Sequence, residues 1–438
     1  MAHASVGGLA SAHGGTRLRG HAGSGERGSV IGYHEAVARL LEGAGRCGEE
    51  RVALGRAAGR ILAGDIVSAM ALPAFDNAAM DGVALADDGP AARAGSCWAV
   101  ASRIAAGDVP PQDDAHAWEV MTGAALPARA ATVVPLEGIE RLQDARVRLR
   151  DDASPGAHIR RRGDDVREGD ALLASGTMLH AAQLMLLAGV GQNEVAVARR
   201  PRVAVLATGR EVVASGQMLP PGGIHDATSP YLAAAIAAAG AELVHHARVG
   251  DDVATFQAAI DAALALGADL VLSTGAVSKG CHDFVPAALD ARDTERRFHG
   301  VAMRPGKPLL AARLREGPVF VGLPGNPLST AVGFRFLVEP LLRAWLGMSP
   351  ETERRLPLSA TCEKRAGLHA LLHGHLRCDG KGRLHACVAE AQASFRLLPF
   401  AQSSVWISLP ADAARIEAGT PVQVHGHGHL HPPGWLPA

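Results

Sequence analysis

Between positions 202 and 346 the chain repeats one unit: a short apolar run, a polar turn carrying Gly or Pro, then an amphipathic stretch. The apolar runs lie at 203–207 (VAVLA), 242–247 (ELVHHA), 270–273 (LVLS) and 318–322 (PVFVG). They lead into Thr208-Gly209-Arg210-Glu211, Gly250-Asp251-Asp252, Thr274-Gly275-Ala276-Val277-Ser278-Lys279-Gly280 and Leu323-Pro324-Gly325-Asn326-Pro327. Helical spacing fills 231–239, 253–266 and 328–346. Short strands that alternate with helices bury both faces of a parallel sheet, so this stretch predicts a doubly wound α/β domain. Ligands of such sheets bind beyond the carboxyl ends of the strands. All four polar turns are expected at that edge.

The turns also suggest what binds there. Gly-rich turns at helix starts offer backbone N–H groups and the positive end of the helix dipole, which suit an anion. Met303-Arg304-Pro305-Gly306-Lys307-Pro308 adds two cations around a stiff turn, while Glu211, Asp251 and Asp283 add carboxylates. Cations beside carboxylates suit a phosphate or oxyanion bridged to a hard divalent metal. Each turn alone is ordinary turn chemistry; four converging on one edge make a site.

At 438 residues the chain exceeds one ordinary core and predicts several domains. Lys+Arg 43 against Asp+Glu 44 leaves a net charge of -1. That balance supplies no field for nucleic acid or an anionic membrane, and no apolar run reaches the ~20 residues that cross a bilayer. Residues 1–28, rich in Gly, Ala, Ser and His without an apolar core, read as a disordered leader. The six cysteines form no C-x-x-C pair and read as reduced thiols of a cytoplasmic protein.

Helical spacing marks 33–41 and 181–187, and a helical pattern continues over 51–61 with tolerated glycines. Residues 194–198 (EVAVA) read as a strand leading into the central sheet. Residues 86–137 read as short strands and turns of a β-rich inserted domain, with Asp76-Asn77 and Asp81-Gly82 as turn formers. The charged run Arg160-Arg161-Arg162-Gly163-Asp164-Asp165 taken alone reads as a solvated turn. Residues 356–424 alternate apolar and polar runs around a turn at Asp379-Gly380, an all-β pattern. His425, His427, His429 and His431 share one face if extended and could line up for a metal; the Gly/Pro setting predicts a flexible tail instead. The expected layout is a leader at 1–28, a discontinuous linker domain at 29–70 and 155–198, the β-rich insertion at 71–154, the α/β domain at 199–346, a C-terminal β domain at 347–424 and a His-rich tail at 425–438.

Six motifs in order resemble the molybdopterin molybdenumtransferase family, the bacterial MoeA proteins and the C-terminal part of gephyrin. They are P-A-F-D-N-A-A-M-D-G at 73–82, M-T-G-A-A-L-P at 121–127, R-R-G-D-D at 161–165, S-T-G-A-V-S-K-G-C-H-D-F at 273–284, R-P-G-K-P at 304–308 and G-L-P-G-N-P-L-S at 322–329. The resemblance implies that the α/β domain is of the molybdopterin-binding type. It also implies the last step of molybdenum cofactor assembly: molybdate enters adenylylated molybdopterin, AMP leaves, and Mg²⁺ assists. An elongated homodimer is implied, with the cleft between the α/β domain of one subunit and the inserted domain of the other. An adenylyltransferase and molybdoenzyme acceptors are implied partners.

By position, Asp251 and Asp283 match the Mg²⁺ carboxylates and Glu211 the acid of the first turn. Lys307 and Ser329 match groups around molybdate, with Arg304 beside them. Asp81 and Thr122 match residues reaching across the dimer interface. Thr208, Gly209, Ser273, Gly275, Ser278, Pro324 and Asn326 complete the substrate-binding turns. Four departures stand out: Arg210 replaces an acid, Ala276 a Gly, and Asp226-Ala227-Thr228 a D-x-N. His373 stands where the family carries an Arg that would help hold molybdate. They leave open a diverged molybdopterin-binding paralogue with weak transfer, or a dimeric scaffold.

Overall fold

The computed structural model describes residues 30–277, 284–315 and 317–434. Its centre is a six-stranded sheet built from β1 (Arg202–Thr208), β2 (Glu242–Val249), β3 (Leu270–Thr274), β4 (Glu295–His299), β5 (Leu310–Arg313) and β6 (Val319–Leu323), in the order β2-β1-β3-β6-β5-β4. Alternate residues of each strand enter opposite cores. Val203, Val205, Leu270, Leu272, Val321 and Leu323 face one side. Ala204, Leu206, Val271 and Phe320 face the other. Apolar residues on both faces of one strand require cover on both, and helices supply it. The first face is covered by α1 (Thr228–Ala238), α4 (Pro327–Gly333), α5 (Glu339–Trp345) and the helix Tyr33–Leu41. The second is covered by α2 (Val253–Ala265) and α3 (Val285–Asp290).

The first four apolar runs pair in parallel, with Thr208 opposite Val249, and Thr274 opposite Leu323. Their carboxyl ends are therefore flush, and the four turns share one edge as expected. The sheet is not wholly parallel, however. β5 runs antiparallel to β6, and β4 antiparallel to β5. Only the loop 314–318 joins β5 to β6, closed by Leu314 N–H donating to Pro318 O at 2.9 Å. So short a connection permits a hairpin and no crossover.

Three other expectations change. Residues 51–61 are not a helix: Glu49–Ala53 is a strand, followed by one 3₁₀ turn at Leu54–Arg56. The strand Glu194–Ala198 pairs antiparallel with Glu49–Ala53 and does not join the central sheet. The pattern at 328–346 forms one helical path whose middle, Phe334–Val338, widens to π geometry between α4 and α5. The insertion holds a four-stranded and a three-stranded sheet over two apolar clusters around Trp118 and Trp98. Residues 355–425 form the C-terminal sheet, interrupted by the short helix Leu397–Ala401. Met303–Arg304 joins that sheet as an edge strand beside His369 and Ala370.

The tail expected to be flexible makes specific contacts. His425 ends a strand, and Gly426 O accepts from Arg335 Nε at 2.9 Å. His429 is buried, its N–H donating to Glu339 Oε2 at 2.7 Å and its Nε2 within 3.1 Å of Ala239 O. Among the described residues no group of three or more His, Cys, Asp or Glu side chains could hold a metal, so the four histidines do not form a metal row. No helix among the described residues is long and apolar enough to cross a membrane.

Candidate active site

The strand following β1 lies on one side of it and the next, β3, on the other, so the switch point of the sheet falls between β1 and β3. A cleft of about 430 Å³ opens there. Thr208, Gly209 and Glu211 line it from the first turn, Asp251 from the second, Gly275 from the third and Asn326 from the fourth. Six of the residues expected from sequence thus meet in one place.

Local bonds explain how the turns are held. Asp251 reaches across to the first turn, where its carboxylate accepts from Gly209 N–H at 3.0 Å and Arg210 N–H at 3.2 Å. Its neighbour Asp252 has a different task. It caps α2, accepting from Thr255 N–H at 2.8 Å and from the Thr255 hydroxyl at 2.5 Å. Thr208 Oγ1 donates to Thr274 O at 2.8 Å, tying the first turn to the third. Gly275 N–H donates to Leu323 O at 3.0 Å, tying the third to the fourth.

Two positions depend on glycine. Gly209 (φ +119°) lies under Glu211: a Cβ there would sit 2.8 Å from Oε1. Gly275 (φ +87°) would drive a Cβ to 2.8 Å from Thr208 Oγ1. Ala276 follows with φ +52°, a left-handed conformation that costs an alanine roughly 1 kcal/mol and suits the glycine it replaces. The departure at 276 is therefore a strain in the turn itself.

Asp226 supplies a bond set not anticipated from the sequence. It is buried at the start of α1 and accepts from Thr228 N–H (3.1 Å), Ser229 N–H (2.9 Å) and the Ser229 hydroxyl (2.5 Å). Burial alone would raise its carboxyl, but these donors together hold it below the usual aspartate range. The departure at 226–228 thus retains a cap that places Thr228 on the cleft wall. Thr228, Ile224, Thr274, Ala276 and Gly325 also line the cleft. Thr274, Ala276 and Gly325 belong to turns already expected at this edge, whereas only a D-x-T-S capping pattern at Asp226 could have pointed to Thr228.

Other expected residues lie elsewhere. Ser278 and Asp283 fall outside the described residues. Ser273 is fully buried on β3, its hydroxyl without a partner among the described residues. Ser329 is buried in the first turn of α4, and the Leu328 N–H beside it is engaged by Ser394 O at 3.2 Å. Pro324 O accepts from the Thr330 hydroxyl at 2.5 Å and shapes the fourth turn. Arg304 and Lys307 are exposed beside the C-terminal sheet and are not among the residues lining the cleft.

Asp81 and Thr122 form their own pair in the insertion. The carboxylate accepts from Thr122 N–H at 2.6 Å and its hydroxyl at 2.8 Å, and these donors hold Asp81 below the usual range. The first and third motifs also meet: Asp76 accepts from Arg162 N–H at 2.8 Å and pairs with Arg161 at 2.7 Å. The charged run at 160–165 is therefore anchored, not a free turn.

His373, at the position matched to an Arg of the family, lies in the core. Its ring is fully buried between Phe400 and Trp406, at centroid distances of 6.0 and 6.5 Å. Neither ring nitrogen has a partner among the described residues, and burial pushes its pKa down.

The fold and the cleft define the class: a doubly wound α/β protein whose switch-point cleft is lined by carboxylates and glycine turns. Comparison with known proteins narrows the class. Residues 31–191 match the MoeA N-terminal region (domain I and II), and 204–344 match a probable molybdopterin binding domain. The chain is 35% identical to molybdopterin molybdenumtransferase 2 of Mycobacterium tuberculosis over 420 residues, covering 90% of this chain and 98% of that protein. It is 36% identical to the molybdopterin molybdenumtransferase of Synechococcus elongatus over 405 residues, covering 90% and 99%. A crystal structure of the molybdopterin biosynthesis MoeA protein from Pyrococcus horikosii superposes with a TM-score of 0.79 at 28% identity, over 93% of this chain and all of that one. The chain belongs to the molybdopterin molybdenumtransferase family.

Proposed function

We propose that the protein is a molybdopterin molybdenumtransferase that inserts molybdate into adenylylated molybdopterin and releases AMP, in a Mg²⁺-dependent step of molybdenum cofactor biosynthesis. The observation that carries this reading is the switch-point cleft, where Thr208, Gly209, Glu211, Asp251, Gly275 and Asn326 converge. The described acids fit the metal: Asp251 and Glu211 present hard oxygens on one cleft, and Mg²⁺ commonly takes one or two carboxylates beside substrate phosphates. Asp283 would join them from outside the described residues. When bound, Mg²⁺ would neutralise charge on the phosphates.

The chain's own groups bind and orient. Gly209 and Gly275 let the backbone come close to the ligand. Asp251 fixes the first turn by accepting from two of its amides, so the shape of that turn is set before substrate arrives. Lys307 and Arg304, on the segment that joins the C-terminal sheet, would supply positive charge for molybdate. The subunit is proposed to divide as the sequence layout expects and to work in the cytoplasm as a homodimer. Asp81 and Thr122 do not line the cleft of their own chain, and in this reading they complete the cleft of a second copy. An adenylyltransferase that delivers substrate and a molybdoenzyme acceptor are the proposed partners. Complementation of a bacterial strain lacking this transferase tests the reading. Restored molybdoenzyme activity supports it; a stable, expressed protein that restores none refutes it and favours the scaffold.

A further inference from the structure

A second cleft, of about 700 Å³, lies at the opposite, amino-terminal edge of the central sheet. Arg46, Arg199 and Arg313 line it, with Asp269, Gly267 and Trp345. A fourth guanidinium belongs to Arg202: a Cβ on Gly267 would lie 3.6 Å from its Nη1. Among the described residues the lining holds one carboxylate, and that one is already satisfied. Asp269 takes a two-pronged pair from Arg199 at 2.9 and 3.0 Å and the Arg202 N–H at 2.7 Å.

The four arginines divide into two kinds. Arg199 is fixed by Asp269 and by Cys47 O, and Arg46 donates to Ala63 O at 2.7 Å and to the Ser175 hydroxyl at 3.0 Å. Those two build the wall. The other two have charge to spare. Arg313 is exposed and its side chain makes no hydrogen bond or ion pair among the described residues, and Arg202 Nε is buried without a partner among them. Gly43, whose Cβ would lie 3.6 Å from Arg313 Nη1, leaves the guanidinium room to approach.

We propose that this cleft is a second anion site, which takes a phosphate-bearing small molecule of up to mononucleotide size. A guanidinium fork matches phosphate oxygens two at a time, and the cleft volume lies in the range of small-molecule sites. The site is separate from the strand-end cleft. Residues 202 and 208 begin and end the same strand, so the two sites stand about 20 Å apart at ~3.3 Å per residue. Trp345 at the edge of the cleft gives it an optical reporter.

The test is a titration of the intact protein with inorganic pyrophosphate and with AMP, at constant ionic strength, followed by tryptophan fluorescence and calorimetry. Wild-type protein is expected to show saturable binding of at least one of them, with a signal that Trp345→Phe removes. Arg313→Glu should weaken binding by roughly tenfold or more, the scale of losing a charge-assisted hydrogen bond and gaining a repulsion. The Arg313 side chain has no partner among the described residues, so the thermal midpoint of that variant should match wild type. Asp251→Asn, at the other edge, should leave this signal unchanged. Equal affinity in Arg313→Glu and wild type overturns the proposal. So does a signal that sodium chloride of equal ionic strength reproduces, or one lost in Asp251→Asn. Tighter binding of AMP than of pyrophosphate would assign a nucleotide to the site, and the reverse order phosphate recognition alone; both orders support it.

Discussion

Asp251→Asn separates the two roles that the structure gives one side chain. The carboxylate holds the first turn through the N–H groups of Gly209 and Arg210, and it is a proposed oxygen ligand of Mg²⁺. Asparagine keeps one acceptor oxygen and turns an NH₂ toward the other amide, so one of the two bonds is lost. The site is exposed and water replaces that bond, so stability should fall by only about 1 kcal/mol. Metal affinity should fall much further. Changing even a group behind the ligands costs about 10- to 100-fold in metal affinity, and removing a ligand's charge should cost at least that.

The assay is AMP release from adenylylated molybdopterin at fixed molybdate, over a range of Mg²⁺ concentrations. At low Mg²⁺ the variant should lose on the order of 10²-fold or more in rate, the scale of a removed electrostatic group. Raising Mg²⁺ should recover part of that loss. A turn clamp alone predicts something else: the same fractional loss at every Mg²⁺ concentration. An unchanged Mg²⁺ dependence in Asp251→Asn, with the rate reduced, would therefore refute the metal role and leave the clamp.

Three more outcomes follow from particular contacts. His373→Arg should destabilise the chain by about 3 kcal/mol or more, because it places a charge between Phe400 and Trp406 without a partner; His373→Phe should hold or raise the thermal midpoint, since both ring nitrogens are unpaired, and a sharp fall in that variant would contradict the burial argument. Stability should decline as pH drops below about 6.5: burial holds His429 and His369 down to about 4, so the folded chain resists protons that the unfolded chain takes up, and the Glu351 carboxyl, which Arg335 and His425 hold at about 2 against the cost of burial, loses its stabilisation between about pH 4.5 and 2. Denaturant midpoints that stay flat from pH 7 to 4 would rule this out. If Asp81 serves the cleft of a second copy, mixing inactive Asp81→Ala and Asp251→Ala chains should restore about a quarter of the sites, through hybrid dimers with one intact cleft; no recovery after subunit exchange would confine Asp81 to its own chain.

The central sheet was legible because its signal is repetitive and local. Each buried strand is apolar on both faces and ends in its own turn, and flush ends follow once the strands run parallel. β4 lacked that signal. Residues 295–299 read ERRFH, with only Phe298 buried, and the segment is a strand because Arg313 and its neighbours pair with it. Glu49–Ala53 was misread for the same reason. None of its residues is buried, so no period existed to read, and its conformation comes from the ladder with Glu194–Ala198. The tail failed differently. A Gly- and His-rich run looks flexible until Arg335 and Glu339, some ninety positions earlier, hold Gly426 and His429 in place.

The site divides along the same line, and Asp251 and Asp252 show where it runs. Both are aspartates in one turn, and charge or composition cannot tell them apart. Asp252 bonds three residues ahead, to Thr255, within the helix it starts. That is a spacing rule, readable from D-x-x-T before any fold is known. Asp251 bonds 42 residues back, to the turn after β1. Nothing in its own neighbourhood encodes that partner; the pairing exists only because β1 and β2 are adjacent and parallel with flush ends. A residue whose bonds are local can be assigned from sequence, and it is structural. A residue whose bonds cross between strand ends needs the sheet, and such residues surround the cleft. The same test removes His373: sequence position put it beside an anion, and the sheet put it between two aromatic rings. Motif order located the cleft, and the topology decided which acids face it.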